Sequence, residues 1–201
     1  MPTSVGLDEL ARAAASCEAC ELYRDATQVV FGAGPPSASL VLMGEQPGDR
    51  EDLAGQPFVG PAGRVLDEAL DDAGIDRDEV YVTNAVKHFR FEQRGKVRLH
   101  KKPGATHLRA CRQWWEAEVA TVQPDVLCCL GATAAQAVFG SSYRVTRERG
   151  EFRSLDLPGV EGLAATATIH PSAILRADPD ERDAAFACLV EDLRGVAERL
   201  G

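Results

Sequence analysis

The chain has 201 residues, a length typical of one domain, and a chain of this size buries about 70% of its unfolded surface. Hydrophobic residues make up 45% and charged residues 26%, which excludes a wholly disordered, collagen-like or coiled-coil chain. No apolar run approaches the ~18 residues that span a bilayer, and Met1–Leu10 lacks the basic start and apolar stretch of a secretory signal. We therefore expect a single domain over residues 1–201 that is cytoplasmic, monomeric and without membrane contact.

The net charge of −9 argues weakly against nucleic acid as a partner, but this charge is unevenly distributed. Residues 86–112 contain nine of the 22 basic residues and a single acidic residue. Because salt screens charges beyond about 8 Å, such a segment can bind phosphates locally even on an acidic protein. From charge alone, a solvated basic loop explains the segment equally well.

Strand-like and helix-like segments alternate along the chain. Near-continuous apolar runs predict strands at 38–43, 80–86, 126–130 and 165–169. Apolar residues at helical spacing predict helices at 61–73, 106–122, 131–139 and 180–200. This alternation predicts an α/β fold, with a parallel sheet of about four strands covered by helices on both faces.

Polar residues follow the predicted strands at the point where each strand ends. The turn 44–48 follows the first strand, Asn84 ends the second, Gly131 follows the third, and His170 ends the fourth. Ligands of such sheets bind beyond the carboxyl ends of the strands. We therefore expect these residues to converge on one edge of the sheet and to form the ligand site.

Three side chains near this edge suit a planar, polar ligand. Phe58, in a glycine-rich segment, offers a stacking face to a base, although a core position is the commoner role for such a residue. The amide of Asn84 offers both donors and an acceptor to a base edge, with an Asx turn or helix cap as the alternative. An imidazole at His170 can stabilise negative charge on a leaving group, although isolated histidines are more often structural.

Six cysteines are too few for a disulfide scaffold in a cytosolic chain. Cys17 and Cys20 form a CxxC pair, which suits zinc, an iron–sulfur cluster or a redox pair. Cys111 stands at the start of a predicted helix. The remaining three are interpreted as small core side chains: Cys128, Cys129 and Cys188.

Several motifs of the chain form a recognisable series. They are GEQPG, GQPFVGPAG, VYVTNAVKH, LGATAAQAVFG and HPSAILR, in this order. The series resembles the family 4 uracil-DNA glycosylases, and the resemblance extends from Cys17 to about Arg176. It implies a three-layer α/β/α sandwich around a parallel sheet, excision of uracil from DNA, and a four-iron, four-sulfur (4Fe-4S) cluster.

Departures from the family pattern resemble one branch of the superfamily. His88 stands where the family usually has a cluster-ligating cysteine, and histidine can replace a thiolate on such a centre. A basic insertion lies at about 89–105, and Gln46 varies the first motif. These features resemble the UdgX-type enzymes, whose members stay covalently attached to DNA through the histidine of the insertion. The ligand set that the resemblance implies is Cys17, Cys20, His88 and Cys111.

The resemblance also implies catalytic roles. After the glycosidic bond breaks, His100 captures C1′ of the sugar before water does, since a ring held in place has a very high effective concentration. His170 stabilises the leaving uracil by hydrogen bonding. Glu45, or Asp49 beside it, supports the cationic sugar, and a carboxylate such as Glu45 orients the other ring proton of His100.

Further residues are implied to bind the substrate, uracil-containing DNA. Single strands are favoured because extruding a base from them costs least. Phe58 stacks on the uracil, Asn84 contacts its edge, and the backbone of Gly44 and Gln46 adds contacts. The flanking phosphates are assigned to the basic side chains of the insertion: Arg94, Lys96, Arg98, Lys101 and Lys102.

Three alternatives stay open at this point. The first is a conventional family 4 glycosylase that releases an abasic site, with His100 only contacting phosphate. The second is a non-catalytic iron–sulfur module that binds nucleic acid or a polymerase. The third places zinc instead of iron at the four ligand positions, because spacing alone does not choose the metal.

Overall fold

The computed structural model describes residues 6–201, so residues 1–5, where the segment considered for a secretory signal begins, lie outside the described residues. The strands are β1 (Leu40–Gly44), β2 (Val80–Asn84), β3 (Phe91–Arg94), β4 (Val97–His100), β5 (Val126–Leu130), β6 (Arg153–Leu157) and β7 (Val160–Thr168). The helices are α1 (Leu7–Ala14), α2 (Asp49–Ala54), α3 (Pro61–Asp72), α4 (Ala105–Val122), α5 (Ala132–Phe139), α6 (Val145–Glu148), α7 (Pro171–Arg176) and α8 (Pro179–Leu200). None of the helices in this part of the chain combines the length and apolar character that crossing a membrane requires.

The central sheet has five strands in the order β2-β1-β5-β7-β6. The first four run parallel, and β6 pairs antiparallel with β7 at the edge. β1, β2 and β5 are buried along their whole length, which explains their near-continuous apolar sequences. The register pairs Gly44 with Asn84 and Leu130 with Thr168, so the carboxyl ends of four strands meet at one edge.

Two apolar clusters fill the space between this sheet and its helices. Trp115 and Val119 of α4 pack with Val41 of β1 on one face. Leu66 of α3 and Leu189 of α8 belong to the cluster on the other face. The predicted three-layer α/β/α sandwich is therefore confirmed.

The sheet and the basic insertion differ from the sequence-based expectation, and the short helices α1, α2, α6 and α7 are not among the predicted elements. The sheet has a fifth strand, β6, which has no continuous apolar run because this edge strand, Arg153–Leu157, is mostly exposed and polar. The basic insertion is not an open loop but an antiparallel hairpin of β3 and β4. Its turn contains Gly95, whose φ of 60° lies in the left-handed region that glycine adopts without strain.

A buried ion pair joins α4 to the segment that follows β2. Lys87 and Glu118 are 1% and 0% exposed, and their charged atoms lie 2.5 Å apart. Glu118 also accepts hydrogen bonds from Tyr81, Thr83 and the Gly32 amide. Lys87 in turn donates to the Asn84 carbonyl. The pair thus fixes the end of β2 that carries Asn84.

We predict that Glu118→Gln lowers the free energy of unfolding by about 3–5 kcal/mol, because it leaves the Lys87 ammonium buried without its counter-ion. Urea denaturation measures the loss. Asp67→Asn, which removes the partly exposed pair with Arg77, is the control and costs at most about 1 kcal/mol. Equal losses in the two variants would contradict the prediction.

Candidate active site

A cavity of about 880 Å³ opens at the edge where the carboxyl ends of β1, β2, β5 and β7 meet. This is the edge at which a parallel sheet of this kind usually binds its ligand. Most of the candidate catalytic and substrate-binding residues line it: Glu45, Gln46, Asp49, Phe58, Asn84, His100 and His170. Gly44 lies directly behind this lining, against Asn84 and Phe58.

The floor of the cavity depends on two glycines that let a ring and an amide approach the backbone. A β-carbon at Gly44 would lie 2.5 Å from Asn84 Oδ1 and 2.8 Å from Phe58 Cζ. A β-carbon at Gly63 would lie 1.7 Å from the Phe58 carbonyl oxygen. Phe58 itself has a φ of 57°, an uncommon conformation for a bulky residue. The strand end and the loop are thus shaped to bring Phe58 and Asn84 together.

His170 lies beside Phe58, with the two ring centroids 6.2 Å apart and the planes nearly parallel. The Ser172 amide donates to His170 Nδ1 at 3.1 Å, so Nδ1 is an acceptor and Nε2 carries the proton of the neutral ring. Burial lowers the pKa of His170 to about 4, against the opposing effect of nearby Glu45. His170 is therefore a neutral imidazole at pH 7, with its Nε2–H available as a donor.

Glu45 lies between two groups that hydrogen-bond to its carboxylate. Its Oε1 is 3.2 Å from His100 Nε2, and its Oε2 accepts from the Thr133 hydroxyl. Burial alone would raise the pKa of Glu45, but the hydrogen bonds with His100 and Thr133 outweigh it and hold the pKa below its usual value. The cavity thus contains a carboxylate that is ionised at neutral pH and touches an imidazole.

The hairpin that carries His100 is bound to α2 through Arg98. The guanidinium donates to Asp49 Oδ1 and to Asp52 Oδ2, each at 2.6 Å. Its carbon also lies over the rings of Phe89 and Phe91, at 5.5 and 5.1 Å. Two charge-assisted bonds from one planar group fix both distance and orientation. Arg98 thereby holds the hairpin in one position relative to α2.

Gln46 braces the same hairpin from the other side. Its amide nitrogen donates to the carbonyls of Arg90 and Lys101, and its amide oxygen accepts from the Arg90 amide. These bonds join the two ends of the hairpin to the turn after β1. His100, next to Lys101 in the chain, is consequently held beside Glu45.

Several candidates for contacts with the substrate use their side chains within the protein instead, and among them Arg94 and Lys101 both pair with Glu92. Arg98 binds two carboxylates, Asp49 binds Arg98 rather than His100, and Gln46 binds hairpin backbone. Two further residues that the site uses were not predicted from the sequence. Thr133 lies in the first turn of α5, two residues after Gly131. The predicted strand, turn and helix around Gly131 are a sequence signal that points to this position. Asp52 carries no sequence signal, since it is one of many acidic residues.

Three of the four candidate metal ligands, the cysteines Cys17, Cys20 and Cys111, lie on or against α4. The Cys20 and Cys111 thiols share a hydrogen bond, which lowers the pKa of Cys20 to about 6 and raises that of Cys111. Trp114 Nε1 donates to Cys17 Sγ at 3.2 Å, so the CxxC pair lies against α4. Over residues 6–201, no three His, Cys, Asp or Glu side chains are close enough together to form a metal site as they stand.

His88, the fourth candidate ligand, has a ring nitrogen that could bind a further group. It is buried, and its Nδ1 has no hydrogen-bond partner within residues 6–201. An unsatisfied buried ring nitrogen is costly, and burial lowers the pKa of His88, which favours the neutral form that binds metals. The donor types, three thiols and one imidazole, fit an iron–sulfur cluster or zinc.

The comparisons with known proteins agree with this fold. The sequence profile described as the uracil DNA glycosylase superfamily matches residues 31–194. The chain is 37% identical to the type-4 uracil-DNA glycosylase of Thermotoga maritima, over 80% of this chain and 78% of that protein. It is 32% identical to the type-4 enzyme of Archaeoglobus fulgidus, over 84% of this chain and 83% of that protein. The chain belongs to the uracil DNA glycosylase superfamily.

Proposed function

We propose that this protein is a uracil-DNA glycosylase that excises uracil, preferentially from single-stranded DNA, and then binds the abasic sugar covalently through His100. In this proposal it acts as a single domain and a monomer in the cytoplasm. Family membership supports the excision. The observation that carries the covalent step is the contact of His100 with the ionised Glu45 at the cavity.

Substrate recognition rests on the floor of the cavity. An extruded uracil stacks on Phe58, a contact worth about 1–3 kcal/mol, while the Asn84 amide pairs with its edge. Asn84 is 3% exposed, so a base with a mismatched donor leaves its amide buried and unpaired. Cytosine has an amino group where uracil has a carbonyl. The Asn84 contact therefore favours uracil.

Bond cleavage is assisted from both sides of the glycosidic bond. As C1′–N1 breaks, its electron pair leaves with the uracil, which becomes negatively charged. The neutral His170 donates its Nε2–H to that charge, and a donor already oriented by Ser172 needs no reorganisation. The Glu45 carboxylate stabilises the positive charge that develops on the sugar.

His100 completes the reaction by forming a new bond to C1′. With Nε2–H directed at Glu45, the other ring nitrogen, Nδ1, carries the lone pair that attacks. Glu45 accepts the ring proton, which then passes to solvent or to the departed uracil. In this proposal no second nucleophile within residues 6–201 attacks the new bond, so the protein remains attached and reacts once.

The alternative is a conventional enzyme that turns over, in which water instead of His100 reaches C1′. Superfamily membership and similarity to the type-4 enzymes are equally compatible with it. The position of the hairpin favours the covalent route, because a side chain used only for phosphate contact needs neither Glu45 nor the bracing by Arg98 and Gln46.

Mixing the protein with uracil-containing single-stranded DNA tests the proposal. We expect a protein–DNA band that survives heat and detergent on a denaturing gel, and no such band with cytosine in place of uracil. His100→Ala should lose the band but keep part of the uracil release, because Glu45 and His170 remain. Uracil release by wild-type protein without a stable band would establish the conventional alternative.

We also propose that Cys17, Cys20, His88 and Cys111 hold a 4Fe-4S cluster. The thiol donors around α4 and the unsatisfied nitrogen of His88 support this assignment. The cluster supplies a cross-link between the N-terminal segment, α4 and the residues that precede the hairpin. In this role it stabilises the fold and takes no part in the chemistry at C1′.

Protein purified without oxygen should absorb broadly near 400 nm and contain iron and acid-labile sulfide. His88→Ala should reduce both and make the cluster more easily lost, whereas Cys188→Ala should leave both unchanged. A colourless protein that contains zinc would contradict the cluster and support the zinc alternative.

A further inference from the structure

A second depression, of about 360 Å³, lies next to the active-site cavity, between the end of the hairpin segment, α4 and α5. Lys102 and Thr133 line both the active-site cavity and this depression, so the two are neighbours. We call the second one the side groove. Its lining includes the basic residues Lys102, Arg109 and Arg112.

The charges of the side groove are all of one sign. Among the described residues, its lining includes three cationic side chains and no carboxylate. Arg109 and Lys102 are exposed, and neither forms an ion pair within residues 6–201. Arg112 is partly neutralised by Glu116, whose Oε1 accepts from its Nε at 2.6 Å. Arg109 and Lys102 thus carry most of the uncompensated positive charge.

The groove surface around these basic side chains contains both apolar and neutral polar groups. Leu108 and Pro103 provide apolar surface, and Gln136 and Ser141 provide neutral polar groups. A positively charged groove can follow the backbone of single-stranded nucleic acid without regard to sequence.

We propose that the side groove binds the DNA strand on one side of the extruded uridine, with its phosphates contacting Arg109 and Lys102. This inference rests on the proposed function, because it assigns a path to the same substrate. The strand leaves the active-site cavity over Lys102 and Thr133 and continues between α4 and α5. Arg109 therefore binds the substrate at a distance from the reacting bond.

The test compares oligonucleotides that differ in their flanks. Four single-stranded substrates carry uracil with minimal flanks, with an extension on the 5′ side, on the 3′ side, or on both sides. The rate of uracil release at limiting protein is measured for each under single-turnover conditions. With wild-type protein, extension on one side should raise the rate more than extension on the other.

Arg109→Ala should reduce the rate increase from that one extension, and Arg109→Glu should abolish it. Both variants should leave the rate with the minimal substrate unchanged. Because Arg109→Ala neutralises one phosphate fewer, the salt dependence of binding the long substrate should weaken by about 0.7 in log–log slope. Arg12→Ala, which changes an exposed arginine on α1 outside the active-site cavity and the side groove, should behave as wild type.

Two results would overturn the assignment. One is an unchanged flank effect in both Arg109 variants. The other is an equal loss on the minimal and extended substrates, which would show that Arg109 acts on the active site and not on the flank. Failure of the proposed function is distinguishable from both, since wild-type protein would then release uracil from none of the four substrates.

Discussion

The bridge from Arg98 to Asp49 and Asp52 is the interaction on which the candidate active site depends. The basic hairpin lies outside the central sheet, so the sheet itself does not fix its position. One guanidinium binding two carboxylates at 2.6 Å supplies that constraint, and Gln46 adds backbone contacts at the hairpin ends. The Arg98 bridge and the Gln46 contacts together hold His100 at the cavity.

The central sheet and the hairpin together place one ionised carboxylate, Glu45, near two imidazoles, His100 and His170. Glu45, at the end of β1, lies against His100 of the hairpin, and its charge also acts on His170 after β7. The carboxylate keeps its charge because hydrogen bonds offset its burial, whereas His170 is kept neutral by burial. In the proposed reaction the Glu45 anion stabilises the positive sugar, and the neutral His170 donates a hydrogen bond to the leaving base.

The sequence predicted the layers, four parallel strands and the edge that carries the cavity, because buried strands and the turns after them have clear patterns. It did not predict β6, because most residues of this edge strand are exposed to solvent. The sequence also did not predict the partners of Arg98, since Asp52 lies 46 positions away and resembles any other acidic residue. Long-range ion pairs leave no periodic signal, so the sequence does not reveal that Arg98 binds Asp49 and Asp52.

The central claim is that an imidazole nitrogen of His100 bonds to C1′ of the sugar, and mass spectrometry of the reaction product tests it most directly. The account predicts an intact mass equal to protein plus oligonucleotide less one uracil. Fragmentation of the cross-linked peptide should then locate the sugar on His100. A product in which the protein mass is unchanged and the DNA has gained water at the abasic site, or a cross-link on another residue, would contradict it.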